Sequence, residues 1–191
     1  MKSGSAGLAW AFAAFAVAGS GAPCARAAGS DDGSTVDLGT SVPQVKDVSD
    51  GLFPDAACED LKAQGYKCLG FKPAVRFALP SSSFRLGSAD LPDGLKRQLD
   101  VFAEAIKGHA GAGRTVRIEG HADASGSEPG NESLSRRRSE AAREYLVTKG
   151  VAPDMLKAVG VGSNDLADPN QPLSPRNRRV VIERDQAASA P

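Results

Sequence analysis

The sequence has no excess of charge of either sign, and it has few aromatic residues and few cysteines. Its 23 basic and 23 acidic residues leave a formal net charge of zero over 191 residues. Nothing in this balance suggests a protein that is held to nucleic acid by bulk charge. The aromatic content is only 5%, whereas the 21 glycines and 12 prolines imply long irregular stretches. The length suffices for one globular domain with a modest core and some additional chain.

The sequence also lacks an apolar run long enough to span a membrane as a helix, which takes about 20 residues. The apolar stretch 6–19 follows Lys2 and precedes the small residues Ala25 and Ala27. A positive start, a short apolar stretch and small residues near its end are typical of a secretory signal peptide. We therefore predict cleavage after Ala27, an exported protein, and no transmembrane helix in the mature chain.

Three cysteines are present, and cleavage would remove one of them, Cys24. Cys58 and Cys68 remain, an even number in an oxidising compartment, and we predict a disulfide between them. Their spacing is neither Cys-x-x-Cys nor a paired zinc-ligand pattern, which argues against redox catalysis and against a metal site. The alternative for Cys24 is a lipidated N-terminus associated with the outer membrane. The preceding Gly-Ala-Pro, however, lacks the apolar residue that lipoprotein processing prefers.

Composition divides the chain into five parts. Residues 1–27 are the predicted signal peptide, and residues 28–50 are polar and rich in glycine and serine, which predicts a flexible linker. Residues 51–73 carry two cysteines and are too few for a core of their own, so a disulfide would supply the order that packing cannot. Residues 74–185 show the periodicity of one folded domain, and we expect residues 186–191 to be a disordered tail.

Alternation and helical spacing within this domain predict four strands and two helices. Apolar residues alternate along the strands and recur every three or four residues along the helices. The predicted strands are 74–79, 114–120, 156–162 and 177–185, and the predicted helices are 91–108 and 131–149. In the order β-α-β-α-β-β, these elements favour an α/β two-layer sandwich, a sheet covered on one face by two helices.

The second predicted helix has an arginine where an apolar residue is expected. On a helical wheel, Arg138 lies in the middle of the apolar side that includes Leu134. An arginine that faces a core needs a partner or an exit to a pocket. Because Arg138 is in the first two turns, we expect it to point toward the loop that carries Asp123. Asn131, at the start of this helix, is expected to be its N-cap.

Asp123 and Arg138 have two interpretations. In the first, they form an internal salt bridge that only pins the loop. In the second, they face a common ligand: the carboxylate takes an ammonium and the guanidinium takes a carboxylate, which suits an amino-acid zwitterion. Gly120, Gly126 and Gly130 would then let the loop backbone approach the ligand closely.

Three blocks of residues in this region resemble the OmpA-like peptidoglycan-binding domain. The blocks are Gly120-His121-x-Asp123, Asn131-x-x-Leu134-Ser135-x-x-Arg138 and Asn177-Arg178-Arg179-Val180. They occur in the family's order and at its spacing, and the resemblance covers residues 74–184. Strand alternation would let at most one of Arg178 and Arg179 face the interior.

The resemblance implies a mixed four-stranded sheet whose last strand is antiparallel. It also implies a non-catalytic periplasmic function without a cofactor, namely binding of the diaminopimelate residue in the peptide stem of peptidoglycan. Asp123 would hold the free ammonium of that residue, and Arg138 would hold its carboxylate. Asn131 and Leu134 would line the pocket, and the backbone of the loop 80–88 would complete it.

Two positions depart from the family's pattern. Ala122 stands where the family usually has threonine, and Ser174 stands where it often has arginine. Neither change removes the charged pair of Asp123 and Arg138.

Two other functions stay open at this point. An assembly component of an envelope secretion or motility complex would bind the wall only secondarily, and would contact envelope proteins through residues 28–70. An exported metal protein or enzyme would use His121 and Asp123, since His-x-Asp in a loop can ligate a metal. No third ligand of matching spacing and no Ser/His/Asp order is visible in the sequence, which argues against the metal protein or enzyme.

Overall fold

The computed structural model describes residues 34–67, 73–80, 84–110 and 114–185. The predicted signal peptide with Cys24, the predicted disulfide partner Cys68 and the predicted tail lie outside the described residues. No helix in the described ranges is both long enough and apolar enough to cross a membrane.

The described residues form one mixed sheet of five strands in the order β1-β2-β5-β3-β4. The strands are β1 (Thr35–Asp37), β2 (Arg76–Pro80), β3 (Val116–His121), β4 (Leu156–Gly162) and β5 (Arg179–Arg184). β5 is antiparallel to both of its neighbours, whereas β1 with β2 and β3 with β4 are parallel. The four predicted strands and the antiparallel last strand are confirmed. β1 adds a fifth strand at one edge.

Four α-helices lie within the described ranges: α1 (Val45–Leu52), α2 (Ala56–Ala63), α3 (Asp93–Lys107) and α4 (Glu128–Thr148). Short 3₁₀ helices, Pro153–Met155 and Pro175–Asn177, precede β4 and β5. α3 and α4 correspond to the two predicted helices. The apolar residues whose spacing predicted α3 are all buried, and they are Leu95, Leu99, Phe102 and Ile106.

The hydrophobic core lies between the sheet and the helices. Phe77 on β2 packs edge-on against Phe102 on α3, with their ring centroids 5.4 Å apart. Val116 and Ile118 of β3 are both fully buried, as alternation requires of two side chains on the same face. Ile118 and Phe77 are both in register with Ile182 of β5. Three adjacent strands therefore contribute to one layer of the core.

The prediction of a flexible linker over residues 28–50 is wrong for the part that the structure describes. β1 and most of α1 fall in this range. Val48 and Leu52 lie one helical turn apart, and both are fully buried. The side-chain amide of Gln98 on α3 donates a hydrogen bond to the carbonyl of Ser41 at 2.7 Å. Polar composition misled the prediction because two apolar side chains on one face suffice to dock a short helix onto an existing core.

The described part of the predicted cysteine segment 51–73 also packs against this core. Phe53 is buried, and the centroid of its ring lies 4.4 Å from that of His109, at the end of α3. Cys58 on α2 is buried as well. Because Cys68 lies outside the described residues, its disulfide with Cys58 remains a prediction.

α4 begins about one turn earlier than predicted, at Glu128. Its N-cap is Ser127, whose hydroxyl accepts a hydrogen bond from the backbone N–H of Gly130 at 3.3 Å. Pro129 occupies the first turn, where an N–H group would have no partner within the helix. The prediction of Asn131 as the N-cap is therefore wrong. Asn131 lies inside the helix, and its side chain has other partners.

α4 lies directly against β3 and β4, and two glycines make this contact possible. A Cβ atom at Gly120 would come 1.9 Å from the carbonyl oxygen of Ser135, and one at Gly160 would come 2.7 Å from the backbone nitrogen of Arg136. The interpretation of Gly120 as a residue that admits a ligand is corrected, because this glycine admits the helix. The close contact brings Arg138 to the end of β3.

Candidate ligand-binding site

Arg138 is fully buried, and its guanidinium lies where α4 meets the end of β3. Its Nε donates a hydrogen bond to the carbonyl of Ser88 at 3.0 Å, and its Nη1 donates to the carbonyl of His121 at 3.4 Å. The guanidinium carbon lies 4.7 Å from the ring centroid of Phe84, a cation–π contact. An arginine on the apolar side of the helix, as the helical wheel predicts, thus reaches the end of the strand.

The third nitrogen of this guanidinium, Nη2, is buried and has no hydrogen-bond partner among the described residues. A buried donor without an acceptor costs free energy. Burial, with repulsion from Arg178 as a smaller contribution, lowers the pKa of Arg138 to about 10, so the group stays charged at neutral pH. Arg138 is therefore ready to donate to an anionic acceptor.

Asp123 is 4% exposed and lies two residues beyond β3. Its Oδ1 accepts hydrogen bonds from the backbone N–H of Ser125 at 3.1 Å and from the Ser125 hydroxyl. Its Oδ2 accepts a hydrogen bond from Nη1 of Arg178 at 2.7 Å. Burial would raise the pKa of Asp123, but the hydrogen bonds from Ser125 and Arg178 outweigh burial and hold the pKa below its ordinary value. Both carboxylate oxygens thus have partners, and the group is charged at neutral pH.

Arg178, rather than Arg138, is the ion-pair partner of Asp123. Asp123 and Arg138 form no direct ion pair in the described structure, so the interpretation of the two as an internal salt bridge is not supported. Their charges still interact, because Asp123 raises the pKa of Arg138 against the effect of burial. The acid and the arginine are neighbours at one site without neutralising each other directly.

Both arginines of the Asn177-Arg178-Arg179 block are largely buried, which corrects the expectation that at most one faces the interior. Arg179 begins β5 and pairs with Asp165 at 2.8 Å. The side chain of Arg178 is 18% exposed and turns to Asp123. Strand alternation does not govern Arg178, because this residue precedes the strand.

Asn177 positions Arg178 through the loop that precedes it. The side chain of Asn177 is fully buried. Its Nδ2 donates to the carbonyls of Gln171 at 2.9 Å and Pro172 at 3.1 Å, and its Oδ1 accepts from the backbone N–H of Asp168 at 2.8 Å. Sequence reasoning missed Arg178 as a site residue, although the block that contains it carried part of the resemblance. Which arginine turns inward depends on where the strand begins, and Asn177 sets that point.

Asn131 holds the loop that carries Asp123. Its side-chain amide donates hydrogen bonds to the backbone carbonyl of Asp123 at 3.0 Å and to the hydroxyl of Ser163 at 3.3 Å. A Cβ atom at Gly126 would come 2.7 Å from Oδ1 of Asn131, so the loop closes tightly over this side chain. Asn131 therefore fixes the position of the acid from the first turn of α4.

A cavity of about 440 Å³ lies among α4, the loop after β3 and the chain that precedes α3. The structure brings together around it all the residues predicted to bind ligand: Asp123, Asn131, Leu134 and Arg138. From the predicted loop 80–88, Leu86 and Gly87 also line the cavity, and the carbonyl of Ser88 accepts from Arg138. Gly87 has a φ of 73°, a conformation that favours glycine. Arg178 completes the charged part of the lining.

The side chain of His121 has different partners from that of Asp123. His121 is fully buried, its Nδ1 lies 3.2 Å from the carbonyl oxygen of Asp165, and its Nε2 lies 3.5 Å from Oε2 of Glu119. Within residues 34–67, 73–80, 84–110 and 114–185, no group of three or more His, Cys, Asp or Glu side chains could hold a metal ion. A metal site built on His121 and Asp123 therefore has no support from the geometry of the described residues.

The two departures from the family's pattern are accommodated locally. Ala122 is buried, and its backbone N–H donates to the carbonyl of Gly162 at 2.8 Å. The hydroxyl of Ser174 accepts a hydrogen bond from the backbone N–H of Arg176 at 3.4 Å, which caps the 3₁₀ helix before β5. The backbone hydrogen bond at Ala122 does not depend on its side chain, whereas Ser174 contributes its hydroxyl.

The model of the OmpA family matches residues 83–179, just over half of the chain. The chain belongs to the OmpA family. The matched range includes every residue described above as lining the cavity, from Leu86 to Arg178. The matched range therefore contains the part of the fold that positions Asp123 and Arg138.

Two relatives share part of their sequence with this chain. The chain is 36% identical over 109 residues to the peptidoglycan-associated lipoprotein of Pseudomonas aeruginosa, an alignment that covers 56% of this chain and 63% of that protein. It is 44% identical over 69 residues to the peptidoglycan-binding protein ArfA of Mycobacterium tuberculosis, which covers 35% of this chain and 21% of ArfA. The chain thus spans less than two thirds of the length of either relative.

A solved OmpA-like domain has the same fold. The OmpA-like domain of FopA1 from Francisella tularensis superposes with a TM-score of 0.50 at 22% sequence identity, over 56% of this chain and 69% of that chain. At this level of identity the likeness concerns the fold alone.

Proposed function

We propose that this OmpA-family domain is a non-catalytic periplasmic module that binds the diaminopimelate-containing stem peptide of peptidoglycan. One observation carries the proposal: the buried Arg138 keeps a guanidinium nitrogen without a partner among the described residues, at a cavity that Asp123 also lines. The names of two relatives, a peptidoglycan-associated lipoprotein and a peptidoglycan-binding protein, support peptidoglycan as the polymer that is bound.

The proposed ligand group is the free zwitterionic end of the diamino acid. Its carboxylate would accept hydrogen bonds from Arg138, and its ammonium would lie against Asp123, whose ionised oxygens can accept more than one hydrogen bond each. Leu134, half-buried at the cavity wall, would contact the methylene chain. Each hydrogen bond to a charged group contributes about 1.5–3 kcal/mol net. Loss of either charged side chain should therefore lower the affinity about tenfold or more.

The state of Asp123 supports binding rather than catalysis. Three hydrogen bonds hold its carboxylate, two from Ser125 and one from Arg178. These bonds keep its pKa below the ordinary value, whereas a general acid or base works best with a pKa near the working pH. Asp123 thus suits a fixed counter-charge for an ammonium group.

In this proposal the protein acts in the periplasm after export, where it tethers the envelope, or a complex within it, to the cell wall. The signal peptide predicted at 1–27 would direct export. The predicted disulfide of Cys58 and Cys68 would form in that oxidising compartment. A lipid on Cys24, the alternative to cleavage after Ala27, would add an outer-membrane anchor. Mass spectrometry of the mature N-terminus distinguishes these two forms.

Co-sedimentation with purified diaminopimelate-type peptidoglycan tests the proposal on wild type, Arg138→Met and Arg136→Ala. Methionine keeps an unbranched apolar side chain at the buried position and removes the guanidinium. Arg136 lies on the same helix, 61% exposed, and its removal changes the net charge by the same amount. We expect wild type and Arg136→Ala to sediment, and Arg138→Met to stay in solution while its melting curve shows a folded protein.

Free meso-diaminopimelate should release the wild-type protein from the sediment, because it would occupy the same cavity. The proposed function is contradicted if folded Arg138→Met sediments as the wild type does. It is equally contradicted if the wild-type protein stays in solution.

A second function, assembly within an envelope secretion or motility complex, has support from a different surface. The sequence assigns the region 28–70 to contacts with partner proteins. Among the described residues of this region, five large apolar side chains are exposed: Val36, Val42, Val45, Leu61 and Tyr66. Exposed apolar groups can contact a partner protein. In-cell crosslinking from positions 45 and 61 tests this function. A crosslink to one defined protein that also forms in Arg138→Met would favour assembly within a complex over wall binding.

A further inference from the structure

The cavity carries more positive charge than a zwitterion can compensate. Arg137, Arg138 and Arg178 line it against a single carboxylate, Asp123, so three cations and one anion leave a formal charge of +2. A zwitterion is neutral overall, so a diamino acid bound as one would leave the formal charge of these lining side chains at +2. The excess points to a second anionic group on the ligand.

The three arginines differ in how firmly they are held. Arg178 is mostly buried, and the 2.7 Å contact with Asp123 fixes its Nη1. It also lies close enough to Arg138 for its charge to lower the pKa of that group. Arg137 is exposed on α4 and donates a hydrogen bond to the hydroxyl of Ser133, on the same helix, at 3.1 Å. Arg178 is therefore the fixed cation next to the position proposed for the first carboxylate.

A stem peptide can carry a second carboxylate on the residue next to the diamino acid. The glutamyl residue that precedes the diamino acid is joined to it through the γ-carboxyl group, which leaves the α-carboxyl group either free or amidated. A free carboxylate accepts charge-assisted hydrogen bonds from a guanidinium, whereas a carboxamide is neutral and accepts weaker ones. The amidation state of this residue therefore changes the charge that the cavity would meet.

We propose that Arg178 is a specificity-determining residue that receives the glutamyl α-carboxylate, so that the cavity distinguishes stem peptides with this group free from stem peptides with it amidated. The inference rests on the proposed function of the same cavity. A guanidinium has N–H donors on three nitrogen atoms, and one such group can therefore serve Asp123 and a ligand carboxylate together. The ion pair with Asp123 holds Arg178 in place for this second contact.

Calorimetric titration of the wild-type protein with two synthetic tripeptides tests the ligand preference. The peptides are L-alanyl-γ-D-glutamyl-meso-diaminopimelate and its counterpart with a carboxamide in place of the glutamyl α-carboxylate. We expect the carboxylate peptide to bind about tenfold more tightly, the effect of one charge-assisted contact. Equal Kd values would overturn this inference and leave the proposed function intact. If neither peptide binds, the proposed function fails.

Two variants test the assignment to Arg178. Arg178→Gln should bind the two peptides with equal Kd values, whereas the control Arg137→Gln should keep the wild-type preference. The assignment is overturned if the preference survives Arg178→Gln or disappears in Arg137→Gln. Arg178→Gln leaves the carboxylate of Asp123 without this cation and could unfold the protein. In that case the double variant Asp123→Asn/Arg178→Gln takes its place. The measured quantity is the ratio of the Kd values of the two peptides on one protein, so a general loss of affinity does not change it.

Discussion

Nη1 of Arg178 donates a hydrogen bond to Oδ2 of Asp123 at 2.7 Å, across 55 residues of sequence. The acid proposed to hold the ligand's ammonium thus has a cationic partner within the protein. Arg138, by contrast, makes its hydrogen bonds to the carbonyls of Ser88 and His121 and keeps one nitrogen without a partner in the described structure. The two arginines therefore have different tasks: Arg178 positions the acid and, in our proposal, also contacts the glutamyl carboxylate, whereas Arg138 retains a donor for the carboxylate of the diamino acid.

The pairing of Asp123 makes part of the protein's stability depend on pH. Its pKa in the folded protein lies below the ordinary value of 3.8, so its stabilising effect is fully present above the unfolded pKa and is lost as the pH falls through the folded pKa. We expect Asp123→Asn to lower the free energy of unfolding by a constant amount between about pH 5 and pH 8, and by less below about pH 4. Urea unfolding of both proteins at matched pH measures this difference. A difference that grows on acidification would contradict the prediction.

Gly120 should tolerate no side chain, because α4 lies directly on it. A Cβ atom there would come 1.9 Å from the backbone oxygen of Ser135, so Gly120→Ala should lower the free energy of unfolding by about 3 kcal/mol or more. Gly94 on α3 is the control, since the nearest contact of a Cβ atom there would be Nη2 of Arg97 at 4.0 Å. Gly94→Ala should raise stability by about 0.4–1 kcal/mol. Equal effects of the two substitutions in urea unfolding would show that the helix can move away from the strand.

Substitutions of Asn131 and Ser127 distinguish two contributions, the support of the loop that carries Asp123 and the N-cap of α4. Asn131→Ala removes the hydrogen bond to the carbonyl of Asp123 and should cost about 1–3 kcal/mol of stability. It should also weaken binding of the stem peptide, because the acid would lose its fixed position. Ser127→Ala removes only the N-cap bond and should cost about 1 kcal/mol while leaving affinity unchanged. Calorimetric Kd values and urea unfolding of both variants check this, and a loss of affinity in Ser127→Ala alone would refute it.

The segment before β2 should behave as part of the domain rather than as a linker. Leu52 on α1 is fully buried in the core, so Leu52→Ala should lower the free energy of unfolding by about 2–5 kcal/mol. Leu61 on α2 is 44% exposed, and Leu61→Ala should change the free energy of unfolding by no more than about 0.5 kcal/mol. Urea unfolding of the mature protein measures both. Similar, small effects would mean that α1 does not contribute to the cooperative unit.

Much of the fold could be predicted because alternation and helical spacing are local properties of a sequence. The alternation of Val116 with Ile118 and the spacing of Leu95, Leu99 and Phe102 each indicate a buried face without knowledge of the partner surface. The exceptional place of Arg138 on an apolar face was visible for the same reason. The prediction of a flexible linker from composition was wrong for residues 34–50. There β1 and α1 obtain their stability from β2 and α3 and have little sequence pattern of their own.

Periodicity alone shows which side chains share a face of each element, and it therefore indicated Asp123 and Arg138 as one site. Which charged groups meet, by contrast, depends on the packing of the elements against one another. Asp123, Arg138 and Arg178 lie on the loop after β3, on α4 and just before β5, three parts of the chain with no local relation. Packing of α4 on β3 and the hydrogen bonds of Asn177 bring them to one cavity, because contacts between distant residues, unlike periodicity, depend on how the elements pack.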